Sequence, residues 1–205
     1  MSAAPHVTFI PGAAGRGSFW EPVAGALPSS WTTTLVDLPG LGTTPAIDGV
    51  ASYDDLAMHV AAGMNDPGVV VAQSMGVYVA LQLAWRRPDL VTHLVLVAAT
   101  GGANMPELGA VDWRDGYARE YPDAAPWATE RVGDLSAAMT LMAMPVLLIW
   151  PTRDPLSPLA VAQHLRSRFM NVTLRTIDSD DHWVARTHAT DVAAAIARFL
   201  RPEEI

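Results

Sequence analysis

The stretch at residues 69–85 reads VVVAQSMGVYVALQLAW and gives the strongest indication of the fold in this chain. Its apolar start is typical of a buried strand, and its second half is typical of a helix. Ser74 stands at the junction, with the small residues Ala72 and Gly76 on either side. Small neighbours let the chain turn sharply, so that the serine hydroxyl projects from the strand end near the positive N-terminus of the helix. The stretch therefore predicts a nucleophile elbow, with Ala72 where glycine is usual.

The composition predicts a single globular domain. At 205 residues the chain is long enough for one full hydrophobic core, and half of its residues are hydrophobic. No apolar run approaches the roughly 18 residues that a membrane span needs. The net charge of −8 argues against a nucleic-acid partner, because phosphate binding needs a basic patch. The chain has no cysteine and starts without a basic segment followed by an apolar one, so we expect a cytoplasmic protein.

Apolar β-rich runs alternate with helical runs along the chain. The predicted strands are 6–10, 32–38, 69–72, 94–98, 146–150 and 172–177. The predicted helices are 19–27, 53–64, 77–87, 158–169 and 190–200. Strands that are apolar almost throughout and alternate with helices form a parallel sheet covered on both faces. The predicted fold class is α/β: a three-layer α/β/α sandwich with a mostly parallel, six-stranded sheet, as one domain over 1–205.

The segment 101–144 interrupts this alternation between the fourth and fifth predicted strands. It is rich in Gly, Pro, Asp and Glu and has no strand pattern of its own. A connection of this length without structure is unusual unless it is functional. Aromatic residues such as Trp113, Tyr117 and Trp127 favour short helices that pack down over the strand ends. We predict that 101–144 is a lid insertion, with a poorly ordered connection as the alternative.

Two later loops supply the partners that a serine nucleophile needs. A hydroxyl reacts poorly until a base takes its proton and an acid orients that base. Asp154 follows the fifth predicted strand, and His182 follows the sixth. The carboxyl ends of parallel strands share one edge of the sheet, so both side chains are expected beside Ser74. The sequence therefore predicts Ser74 as the nucleophile, His182 as the base and Asp154 as the orienting acid.

Each of these residues also has a simpler interpretation. The pentapeptide around Ser74 arises by chance in many proteins, and Asp154 stands before a proline, where turn aspartates are common. His182 lies in the acidic loop 178–182. The alternatives to a catalytic role are a surface histidine and a metal ligand together with the aspartates of that loop. His188 is a rival for the base. We predict a solvated acidic loop without a metal.

The chain resembles the α/β-hydrolase superfamily over nearly its whole length, as a compact, serine-esterase-like member with a short lid. Beyond the predicted triad, the segments that carry the resemblance are FIPGAAG at 9–15, DLPGLG at 37–42, RRPDLV at 86–91 and HW at 182–183. The resemblance implies that the backbone amides of Ala13 and Met75 form the oxyanion hole. Pro11 stands where the family commonly has histidine. Compared with the family, we expect two strands usual at its N-terminus to be absent here, which predicts a six-stranded sheet.

The resemblance also implies the chemistry. It predicts hydrolysis of a small or medium carboxylic ester, a small-molecule acyl substrate, through an acyl-enzyme and without a metal or organic cofactor. Trp20 and Trp183 are the residues expected to line the substrate pocket. Because one scaffold hosts many reactions, C–C bond hydrolases, lactonases, thioesterases and lyases with the same triad stay as alternatives. A ligand-binding member that does not turn over is a further alternative.

Overall fold

The computed structural model describes residues 4–200, which form one six-stranded sheet with every pairing parallel. In chain order, the strands β1 to β6 are His6–Ile10, Thr32–Leu35, Gly68–Gln73, Val91–Val97, Val146–Pro151 and Val172–Ile177. Their order across the sheet is β2-β1-β3-β4-β5-β6. The predicted α/β fold with six strands is confirmed, and the sheet is parallel throughout. Residues 1–3 and 201–205 of the predicted single domain lie outside the described range.

Helices connect the strands. In chain order, the α-helices α1 to α8 are Glu21–Ala26, Tyr53–Ala62, Gly76–Arg86, Arg114–Glu120, Ser136–Met139, Leu159–Arg168, Val184–Thr187 and Ala189–Leu200. Short 3-10 turns occur at Gly17–Trp20, Pro88–Leu90, Pro106–Leu108 and Pro126–Thr129. Each predicted helix is present within a few residues of its expected ends. Within residues 4–200, no helix has the length and apolar character to cross a bilayer.

The second strand is shorter than predicted. Its pairing with β1 ends at Leu35, whereas the apolar pattern continued to Leu38. Asp37 leaves the strand direction, and its carboxylate accepts a hydrogen bond from the amide of Gly17 at 2.7 Å. A contact between residues so far apart in the chain has no local signal in the sequence.

Buried side chains cover both faces of the sheet, as β3 shows. Val70 and Ala72 belong to the apolar cluster that includes α2, α3 and α6, whereas Val69 and Val71 belong to the cluster with α1 and α8. All six residues of β3 are buried. A strand covered on both faces has no solvent-facing side, so polar residues do not alternate with apolar ones along it. This explains the continuous apolar run of β3.

The segment 101–144 lies between β4 and β5 and contains α4, α5 and two of the 3-10 turns. Backbone hydrogen bonds fasten it to two loops of the body. The amide of Ala125 donates to the carbonyl of Gly40 at 2.8 Å, and the amide of Val111 donates to the carbonyl of Leu156 at 2.9 Å. Gly40 and Leu156 follow β2 and β5, so the segment lies against loops at the carboxyl edge of the sheet.

Candidate active site

Ser74 occupies a strained turn between β3 and α3. Its φ is 55°, in the left-handed region that residues other than glycine rarely adopt. This backbone conformation costs about 1–2 kcal/mol. Neighbouring strands and the helix hold it: the amide of Ser74 donates to the Val97 carbonyl at 2.9 Å, and its carbonyl accepts from the Val77 amide at 3.1 Å. The sharp strand-to-helix turn predicted from the sequence is present.

Close contact with the loop after β1 explains which residues around this turn are small. A Cβ at Gly76 would lie 2.1 Å from the carbonyl oxygen of Pro11, and a Cβ at Gly12 would lie 2.9 Å from Oε1 of Gln73 and 3.1 Å from the Cβ of Ser74. Neither position has room for a side chain. Ala72, by contrast, lies within β3 and its methyl group is part of the buried core. Glycine is therefore not needed at position 72.

A chain of hydrogen bonds joins the three predicted residues. Nε2 of His182 lies 2.9 Å from Oγ of Ser74. On the other side of the ring, Nδ1 lies 2.9 Å from Oδ2 of Asp154 and 3.1 Å from its Oδ1. His182 is 2% exposed and Asp154 is 6% exposed, so water competes little with the two bonds between them. The structure thus brings Ser74, His182 and Asp154 together in the expected order.

Backbone donors hold the Asp154 carboxylate in place. Its Oδ1 accepts the amides of Leu156 at 2.8 Å and Ser157 at 2.9 Å, as in an Asx turn. The buried hydroxyl of Ser157 donates to the carbonyl of Ala99, which ties the loop after β5 to the loop after β4. Asp154 is therefore both a turn aspartate and the partner of His182, so the two interpretations of this residue are compatible.

Gln73 fixes the backbone of the histidine loop and was not singled out from the sequence. Its Nε2 donates to the backbone carbonyl of His182 at 3.2 Å. Gln73 is 2% exposed, so this bond is shielded from water. A second bond, from the amide of Arg153 to the carbonyl of Ser179 at 3.0 Å, holds the start of the same loop. The sequence did offer a signal for Gln73, because it is a polar residue at the end of an apolar run, directly before Ser74.

Thr100 is a second residue that sequence reasoning missed. Its Oγ1 lies 3.2 Å from Oγ of Ser74. Thr100 follows β4. Ser74, Asp154 and His182 were predicted after β3, β5 and β6, whereas no site residue was predicted after β4. The carboxyl ends of β3 to β6 therefore each contribute one polar side chain to the site: Ser74, Thr100, Asp154 and His182.

Ala13 and Met75 lie on the two loops expected to form the oxyanion hole. Ala13 follows β1 inside a turn closed by a bond from the Gly15 amide to the Gly12 carbonyl at 3.0 Å. Met75 directly precedes α3. Within residues 4–200, neither of these two amides donates to another group of the protein. The N-terminus of α3 adds partial positive charge at this place. Their role at an oxyanion stays a prediction.

The two tryptophans expected at the pocket lie in different environments. Trp20 has no exposed surface, its Nε1 donates to the Ile10 carbonyl at 3.0 Å, and its ring packs against Phe9. A fully covered side chain offers no surface to a substrate, so we assign Trp20 to the core on the α1 and α8 side. Trp183 is 56% exposed, and its ring meets that of His182 edge to face at 5.9 Å. Its role in a pocket stays a prediction.

The rival residues do not join the Ser74 site. His188 has its hydrogen bond with Thr187, at 3.0 Å. Asp178 is paired with Arg153 at 2.6 Å, and this hydrogen-bonded guanidinium holds the pKa of the carboxyl below its usual range. In the described part of the chain, no group of three His, Asp or Glu side chains is arranged to hold a metal ion.

A groove of about 1040 Å³ between β6 and α8 is lined by none of the Ser74 site residues.

Comparison with known proteins identifies the family. The family described as alpha/beta hydrolase fold matches residues 5–139, and one described as TAP-like protein matches 111–205. The chain is 26% identical over 245 residues to a pimeloyl-[acyl-carrier protein] methyl ester esterase of Neisseria meningitidis serogroup B, covering 97% of this chain and 93% of that protein. It is 22% identical over 234 residues to the protein of that name in Aliivibrio salmonicida, covering 92% and 89% of the two chains.

A solved structure shares the fold at low sequence identity. A thermophilic esterase from Thermogutta terrifontis superposes with a TM-score of 0.79 at 18% identity, covering 98% of this chain and 91% of that one. At this identity the likeness shows the fold alone. The family match, by contrast, extends over more than half of the residues. The chain therefore belongs to the α/β-hydrolase fold family.

Proposed function

We propose that this protein is a serine esterase that hydrolyses a small or medium carboxylic ester through an acyl-enzyme on Ser74. The proposal rests on the continuous hydrogen-bond chain from the partly buried Ser74 Oγ through the buried His182 to the buried Asp154. The curated relatives are named as methyl ester esterases, which supports an ester bond as the target. The protein is accordingly an ester-cleaving α/β-hydrolase.

Acylation uses all three residues of the hydrogen-bond chain. Ser74 Oγ attacks the ester carbonyl carbon while Nε2 of His182 takes its proton. Asp154 keeps a hydrogen on Nδ1, so that Nε2 is free to accept. The amides of Ala13 and Met75 donate to the carbonyl oxygen as it becomes negative, worth about 3 kcal/mol per donor. His182 then protonates the alcohol as its bond to carbon breaks.

Deacylation repeats these steps with water. The water oxygen attacks the acyl carbon, and its proton passes to Nε2 of His182. The bond between carbon and Ser74 Oγ then breaks, and Oγ takes the proton from the imidazolium. The carboxylic acid leaves, and the free serine is restored. Each proton in the cycle moves between the substrate, water and side chains of this chain.

We also propose that the segment 101–144 is the lid and limits the size of the acyl group. Its bonds to the loops after β2 and β5 support a position above the carboxyl edge. Tyr117, Trp127 and Met139 of the segment join the apolar core, so bulky side chains fill much of the space beneath it. Its helices are only seven and four residues long. A cover of this kind suits a small or medium acyl group better than a long lipid chain.

The charge of the lid favours a free ester over one presented by an acidic protein. The segment 101–144 carries seven acidic residues and three arginines. All seven acidic side chains are exposed. Like charges facing each other across an interface oppose association. We therefore propose a free small-molecule ester as the substrate.

A chain-length series of p-nitrophenyl esters tests this function. Wild-type protein is expected to release p-nitrophenolate fastest from short and medium acyl groups, and Ser74→Ala is expected to release none above background. Circular dichroism of Ser74→Ala serves as the control for folding. Full activity in Ser74→Ala would exclude Ser74 as the nucleophile. Faster turnover of a β-diketone than of any ester would favour a C–C bond hydrolase instead.

A further inference from the structure

Thr100 contacts the atom on which the proposed acyl-enzyme forms. Its Oγ1 lies 3.2 Å from Ser74 Oγ, and its amide donates to the Ser74 carbonyl at 3.3 Å. Thr100 is 4% exposed, so water competes little for its hydroxyl. We propose that Thr100 is a further catalytic residue, whose hydroxyl donates to Ser74 Oγ and speeds hydrolysis of the acyl-enzyme. This inference rests on the proposed esterase function.

The hydrogen-bonding of His182 fixes the direction of this bond. Nδ1 of His182 faces Oδ2 of Asp154 at 2.9 Å. A carboxylate only accepts, so in the neutral imidazole, the form that acts as the base, Nδ1 carries the ring hydrogen and Nε2 is an acceptor. Nε2 lies 2.9 Å from Ser74 Oγ and therefore takes the serine hydrogen. Since that hydrogen points to His182, the bond between the two hydroxyls runs from Thr100 to Ser74.

The loop after β4 holds the Thr100 hydroxyl at this place. Ala98 has a φ of 45°, and its amide donates to the Ile149 carbonyl of β5 at 3.2 Å. The Ala99 carbonyl accepts the buried hydroxyl of Ser157. A donor fixed in advance needs little reorganisation when charge develops on its acceptor.

The strength of Ser74 Oγ as an acceptor changes along the reaction. In the acyl-enzyme it is an ester oxygen, which accepts weakly because its lone pair is conjugated with the carbonyl. Attack by water ends this conjugation, and the electrons of the breaking bond to carbon then move onto Oγ. The bond from Thr100 therefore strengthens between the acyl-enzyme and the transition state of deacylation. In acylation Oγ starts as a hydroxyl, already a good acceptor, so only deacylation gains.

Two variants separate the hydroxyl from the shape of the side chain. Thr100→Val replaces the hydroxyl with a methyl group of similar size, and Thr100→Ser keeps the hydroxyl. Because p-nitrophenyl acetate is an activated ester, we expect its acylation step to be fast and deacylation to limit kcat. We expect the deacylation rate constant of Thr100→Val to fall about tenfold, or about 1.4 kcal/mol, with acylation changed by less than about threefold. As a result kcat and KM fall together and kcat/KM is kept, while Thr100→Ser stays near wild type.

Stopped-flow traces give both rate constants, since the burst reports acylation and the steady phase reports deacylation. A steady phase that is unchanged in Thr100→Val, or slowed equally in Thr100→Ser, would overturn the role of the hydroxyl. A slower burst with an unchanged steady phase would overturn it as well. Failure of the esterase proposal looks different: wild-type protein then releases no p-nitrophenolate, or Ser74→Ala releases it at the wild-type rate.

Discussion

The substitution Gly76→Ala tests how the serine turn and the loop after β1 determine the site together. The new Cβ would lie 2.1 Å from the Pro11 carbonyl oxygen, whereas ordinary contact begins at 3.4 Å, so the two must separate by about 1.3 Å. Both partners belong to the backbone, which relaxes poorly in a packed core. Pro11 lies two residues before Ala13, so the shift displaces the proposed oxyanion amide. We expect a loss of about 1–3 kcal/mol of stability from overpacking and of about 10²-fold in rate from a displacement near 1 Å.

The assay pairs kcat/KM for p-nitrophenyl acetate with unfolding in urea. Gly25→Ala is the matched control, because Gly25 lies in α1 and a Cβ there would meet no atom within 4 Å. This control is expected to gain up to about 1 kcal/mol of stability from helix propensity and to keep its kcat/KM. A Gly76→Ala protein with the kcat/KM of wild type would show that this contact does not position the site.

Two further substitutions test how His182 is held. Asp154→Asn can still accept the amides of Leu156 and Ser157, but it no longer favours a hydrogen on Nδ1, so we expect kcat to fall about 10⁴-fold with urea unfolding little changed. A kcat within tenfold of wild type would contradict this role. Gln73→Leu leaves the buried His182 carbonyl without its donor, so the unfolding free energy is expected to fall by about 1–3 kcal/mol and kcat to fall with it. An unchanged urea midpoint would show that the bond contributes nothing.

Much of the sheet was predictable because its signals are local. Every residue of β3 is buried, and the result is a continuous apolar run that marks a covered strand. The ends of β6 at Val172 and Ile177 match the prediction because turn-forming residues flank it. The predicted end of β2 was wrong because Asp37 leaves the strand direction and its carboxylate accepts a hydrogen bond from the amide of Gly17. Gly17 precedes β2 in the chain, whereas Asp37 follows it. Contacts of this range depend on the fold and not on local sequence.

The residues of the site were predictable only as far as their own chemistry shows. Ser74, Asp154 and His182 have side chains suited to catalysis, and each follows a predicted strand. They were predictable because the carboxyl ends of parallel strands share one edge of the sheet. Thr100 and Gln73 carry side chains of ordinary reactivity, and they matter through contacts that the fold creates. Trp20 was expected at the pocket from the family resemblance, but a sequence pattern does not show to which side of a loop an aromatic ring packs.

The proposed mechanism depends on Ser74 as the nucleophile of an ester hydrolase. Mass spectrometry after reaction with a fluorophosphonate tests it most directly, since an activated serine oxygen bonds to phosphorus and expels fluoride. We expect one adduct per chain, on the peptide that contains Ser74, with loss of esterase activity in proportion to labelling, and no adduct in Ser74→Ala. An adduct on a different residue, or unlabelled Ser74 in a protein that has lost its esterase activity to the reagent, would contradict it.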